Sequence, residues 1–141
     1  MIGGIAGIAA IPFILAGCFL PFIYYSDTSG GGVTSSSVFN LGFPGTAWFA
    51  AEPVAVMVFS IAPAIVLLVW SGRLATAIAS GALIAFGVQT FFLFIGYTGG
   101  DLTLGRIGAG GPLGLVGGFV MLSGGVLAAA SLLAKAPAQQ R

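Results

Sequence analysis

The stretch WFAAEPVAVMVFSIAPAIVLLVWSGR, residues 48–73, decides the fold. Between Trp48 and Trp70 it holds a single charged side chain, Glu52, and no alternation of polar with apolar residues. A run that is apolar on every face has no side to hydrate, so it suits a helix surrounded by hydrocarbon. Trp48 and Trp70 are 22 residues apart, about 33 Å at ~1.5 Å per helical residue. That is enough to cross a bilayer core of ~30 Å, and it leaves both indoles in the headgroup zone that such rings prefer.

Working outward, three more runs have the same character, at about 2–25, 74–97 and 112–134. Tyr24 and Tyr25 close the first and Tyr97 closes the third, while Pro112 opens the fourth and Lys135 ends it. Proline is tolerated in a first helical turn, and aromatic rings with a polar tip favour the interface. Barrel strands would be shorter and would alternate. The sequence therefore predicts an all-α membrane protein, a single domain over 1–141 built as a bundle of four transmembrane helices. Residues 26–46 and 98–111 form its outer loops. The Ser-Gly-Arg turn at 71–73 is so tight that helices two and three must be antiparallel neighbours.

Composition excludes the other broad classes. Of 141 residues, 58% are hydrophobic and 5% charged, against roughly 45–50% and 25% in soluble domains. Seven ionisable side chains cannot solvate a soluble surface, and disordered chains are poor in apolar residues. A net charge of +1 with no basic patch excludes nucleic acid as a partner. One cysteine excludes both a disulfide framework and an intramolecular dithiol pair, and the absence of histidine removes the usual acid–base and metal sites. No glycine run is followed by the Lys-Ser/Thr of a phosphate loop. The sequence predicts no enzyme and no cofactor. Orientation follows from the basic residues: Arg73, Lys135 and Arg141 fall on one side and Arg106 alone on the other. Three to one puts both termini in the cytoplasm.

Small residues mark the helix contacts. Gly110, Gly114 and Gly118 are four apart at the start of helix four, and Gly125 and Ala129 continue roughly the same face. Ala77, Gly81 and Ala85 make a similar row on helix three, and Gly3 with Gly7 a shorter one on helix one. Such rows let helix backbones approach closely where lipid removes the hydrophobic drive. They serve packing inside the chain or packing against a partner chain. The chain also carries an internal echo. Phe22-Ile23-Tyr24-Tyr25-Ser26-Asp27 resembles Phe94-Ile95-Gly96-Tyr97-Thr98, with Asp101 three residues on. A tandem repeat of a helical hairpin accounts for it, and so does the shared need of outward helix ends for aromatics and turn residues.

Two intramembrane polar residues are the candidate functional ones. Glu52 lies four residues inside Trp48, about 6 Å below the outer headgroup level. It suits a proton or cation site or a partner contact. It equally suits a carboxylate that reaches water, caps helix two, or pairs with Arg106, the only outer cation. Gln89 lies eight residues before Tyr97, about 12 Å deep, and suits a hydrogen bond to another helix or the lining of a polar pathway. On this count the two differ in depth, and a direct pair requires a tilt or a kink, which Pro63 and Pro12 can supply. Cys18 ends Leu15-Ala16-Gly17-Cys18, which matches the site at which bacterial lipoproteins are cleaved and acylated. No basic residue precedes that run, and Phe19, Leu20 and Pro21 follow it; otherwise Cys18 is a small core residue.

The segments Trp48-Phe49-Ala50-Ala51-Glu52-Pro53 and Gln89-Thr90-Phe91-Phe92-Leu93-Phe94-Ile95-Gly96-Tyr97, with the Gly-rich approach from Gly108 to Gly118, resemble small four-helix membrane proteins of actinobacteria. The resemblance implies a multi-pass protein of a bacterial plasma membrane and carries over no activity, cofactor or catalytic residue. Taken together, the sequence points to a non-enzymatic protein that acts by helix association, as an accessory or structural subunit of a membrane complex. Its partners would be the bilayer and other membrane subunits or itself. The alternatives are a small oligomeric transporter or channel subunit using Glu52 and Gln89, and a lipoprotein anchored at Cys18.

Overall fold

A computed structural model describes residues 1–21, 23–26, 33–37, 47–70, 72–99 and 105–134. Four helices form the body: α1 (Ile2–Phe19), α2 (Ala47–Val69), α3 (Arg73–Gly99) and α4 (Gly110–Ala134). All four are long and apolar enough to cross a membrane. Each packs against its neighbours in sequence, and α4 closes the ring against α1. Contact is most extensive along α4, on both its α1 and α3 sides, while α2 sits more loosely between α1 and α3.

The first helix is shorter than the 2–25 expected from hydropathy. It stops at Phe19, and Leu20 is already extended, at φ −77° and ψ 149°. The cause is Pro21, whose ring disfavours a helical conformation in the residue before it. The chain then continues as strand β1 (Ile23–Ser26), which pairs antiparallel with both β2 (Val33–Ser36) and β3 (Gly105–Ile107), giving the order β2-β1-β3. In register, Tyr24 faces Ser35 on one side and Arg106 on the other. Tyr24 and Tyr25 thus belong to a small sheet at the α1 exit and the α4 entrance rather than to a helix end. The Gly110 amide ties the two together by donating to the Pro21 carbonyl at 2.9 Å. The echo between 22–27 and 94–98 does not extend to local structure, since Ile23–Ser26 is a strand and residues 95–98 are the end of α3. The other helices run close to expectation, with α3 ending two residues later and α4 starting two residues earlier.

The packing inverts the soluble pattern. Small residues fill the interior, among them Gly7, Ala10 and Gly17 of α1 and Gly114, Gly118 and Gly125 of α4. Large apolar side chains face outward, with Phe59 65%, Phe92 66% and Phe119 60% exposed. Phe94, Ile14, Leu83 and Met121 are the large side chains buried among the glycines. Buried hydroxyls stay on their own helices: Ser60 donates to the Met57 carbonyl, Ser80 to Ala77 and Thr90 to Phe86, at 2.8–3.0 Å. Without water nearby, these local bonds are how a buried hydroxyl is satisfied in such a bundle.

Candidate functional site: the outward face of α2 and α3

The helix-four glycines divide between two neighbours rather than forming one stripe. Gly110 and Gly117 meet α1 at Gly17 and Ile14, and Gly118 and Gly125 meet α3 at Phe91 and Ile84. Gly114 serves both: its Cα lies against Gly17 of α1, and a side chain built on it would run into the Phe94 ring of α3. These glycines pack within the chain.

Helix three behaves differently. Ala77, Gly81 and Ala85 all lie on the exposed side of α3, and among the described residues nothing comes within 4 Å of the position a Gly81 side chain would occupy. Among the described residues, then, the row is left open rather than packed. Four residues on along the same face stands Gln89, also exposed, and its Nε2 donates to Glu52 Oε1 of α2 at 2.9 Å. The two polar residues expected at different depths are a direct pair.

The reason lies in the hairpin that joins their helices. Depth measured from the aromatic outer ends assumes that those ends are level. The tight turn at the other end is what sets the relative height of α2 and α3. Val69, the last residue of α2, lies 17 residues beyond Glu52, and Gln89 lies 16 beyond Arg73, the first residue of α3. Both positions are then about 25 Å from the turn at ~1.5 Å per residue. No kink is required, although Pro12, Pro53 and Pro63 do lie inside their helices. Pro53 leaves the Phe49 carbonyl without its helical donor, so α2 carries a second polar group within a turn of Glu52.

The arrangement can do some things and not others. Gln89 uses one N–H on the carboxylate, and Glu52 keeps the acceptor capacity of its second oxygen. The pair lies on the outside of the bundle, so it lines no path through a single chain. The expected Glu52–Arg106 pair lies outside the described residues, because only the backbone of Arg106 is described, in β3 opposite Tyr24. Asp27, Asp101, Lys135 and Arg141 also lie outside them. Cys18 is buried, 3% exposed, on the inner side of α1. Among the described residues no group of three or more His, Cys, Asp or Glu side chains is placed to hold a metal. Neither a protein-family model, nor a curated protein, nor a solved structure matches the chain.

Proposed function

We propose that this protein is a non-enzymatic membrane subunit that works by lateral helix association, and that the outward face of α3 is where a partner helix docks. The observation that carries the reading is the row Ala77, Gly81, Ala85, Gln89, open along its length and ending in the exposed Glu52–Gln89 pair. Small residues let a second backbone approach, and an amide–carboxylate pair at the edge of the hydrocarbon supplies directional bonds. Among the described residues the glycine rows of α1 and α4 are filled by the chain itself, which sets this small-residue row apart. Following the basic residues, both termini lie on the cytoplasmic side and the sheet lies outside. The resemblance to small actinobacterial membrane proteins favours a bacterial plasma membrane.

The test is gentle extraction of a C-terminally tagged chain from its native membrane at natural abundance, with identification of what comes with it. A stoichiometric membrane partner, or a defined self-assembled oligomer, is the expected result, and Gly81→Leu should release it. A monomer with no companion would overturn the reading. Transport along a seam between copies, with Glu52 on the route, makes a different prediction: ion flux in liposomes that Glu52→Gln abolishes.

A further inference from the structure

Opposite the sheet, the four helix ends do not close on one another. They leave a cavity of about 570 Å³, within the ~300–1,000 Å³ range of small-molecule sites. Its walls come from the start of α1 at Gly3, the end of α2 at Leu68 and Trp70, the start of α3 at Arg73 and Thr76, and the end of α4 at Ser131. Three features define what fits it. The walls are mostly aliphatic, and the opening lies at the level where these helices would leave the hydrocarbon, beside a Trp70 that is 67% exposed. The hydroxyls are already engaged: Thr76 donates to the Gly72 carbonyl at 2.9 Å and Ser131 to Ala128 at 2.7 Å. Arg73 is the only charged side chain among the described residues of the lining, which also includes Met1. It begins a 27-residue helix with no acidic residue in its first turn, so the positive end of that helix faces the same rim.

Among the described residues no carboxylate side chain lines the cavity to neutralise Arg73. Glu52 is about 25 Å away along α2, and in sequence Asp27 follows β1 and Asp101 follows α3, both leading from the other end. In sequence Lys135 directly follows Ala134, the last residue of α4. An apolar pocket with a cationic rim at the membrane surface matches a molecule with an acyl chain and an anionic phosphate, and the planar guanidinium is suited to gripping that phosphate with two parallel bonds.

We propose that this cavity binds one anionic phospholipid, its acyl chain against the aliphatic walls and its headgroup phosphate on Arg73. The site rests on the chain spanning a membrane and is independent of the association face on α3.

The test is native mass spectrometry of the full chain in detergent, delipidated and then offered phosphatidylglycerol or phosphatidylcholine with the same acyl chains. The wild type should retain one phosphatidylglycerol in preference to phosphatidylcholine. Arg73→Gln should cut phosphatidylglycerol retention about fivefold, the weight of one basic residue at a lipid surface, and phosphatidylcholine retention by less, because the choline cation offsets the same phosphate. Ser131→Phe, which fills the cavity from the α4 wall, should reduce both lipids. Thr76→Phe does the same from the α3 wall and stands in if the first variant loses its helical circular dichroism. Phosphatidylglycerol retention unaltered in Arg73→Gln, or lipid retention unaltered in the filled variants, would overturn the proposal. Competition by millimolar inorganic phosphate as effective as competition by lipid would reduce the site to a simple anion site and overturn it equally.

Discussion

At Gly114 the missing side chain is what allows three helices to meet. Its Cα touches Gly17 of α1 while its open side receives the Phe94 ring of α3. Gly114→Leu must displace a ring that is itself fully buried. The expected cost is at least the ~1–3 kcal/mol of an overpacked core, read as a lower midpoint in detergent unfolding. Gln89→Leu is the contrasting case. It removes one interhelical hydrogen bond on an exposed face, so it should cost only about 0.6 kcal/mol, the average for such bonds in membranes. The same measurement distinguishes the two, and an equal loss in both would mean that the Glu52–Gln89 pair holds the fold rather than serving a surface. That pair was within reach of the sequence. Counting residues from the 71–73 turn puts Glu52 and Gln89 level, whereas counting from Trp48 and Tyr97 separates them, because the outer helix ends are not level. What the sequence does not hold is the rotation of each helix, and so which glycines face inward.

Among the elements, α3 and α4 show why a small-residue row is ambiguous in sequence. Gly81 and Gly125 both sit mid-helix in rows of similar spacing, yet Gly125 would meet Ile84 and the Ser80 carbonyl whereas Gly81 meets nothing. Gly81→Ala should therefore stabilise the isolated chain by the ~0.5–1 kcal/mol that alanine gains over glycine in a helix. Gly125→Ala should destabilise it, since the new methyl has backbone in its way. Opposite signs in thermal unfolding are the expected outcome; a gain at both positions would mean that α3 and α4 are not packed as described. The spans themselves were legible because four runs of the right length are apolar all round. The early end of α1 was legible in Pro21, and the hairpin in the β-branched and aromatic residues 23–25 and 33–34 flanking Gly30, Gly31 and Gly32. Continuous hydropathy through Tyr25 conceals both, since it reports burial in lipid and not backbone conformation.

For the molecule as a whole, sidedness connects the two proposed surfaces. The sheet and the Glu52–Gln89 pair belong to one end of the bundle, and the Arg73 cavity belongs to the other. If basic residues set the orientation, the cavity opens in the cytoplasmic leaflet, where anionic lipid gives Arg73 its partner. The native chain is suited to a direct test, because its single cysteine, Cys18, is buried and should stay silent to an impermeant maleimide. Ser37→Cys places a thiol just after β2, and Gly72→Cys places one in the α2–α3 turn. The 23 residues of α2 lie between them in sequence, about 35 Å of helix, so the two sites report opposite faces of the membrane. Ser37→Cys should label in intact cells and Gly72→Cys only after permeabilisation. The reverse pattern would put both termini outside and turn the cavity toward the outer leaflet. Arg73 would then face the leaflet without the cytoplasmic excess of anionic lipid, while the packing of the bundle and the open face of α3 would stand unchanged.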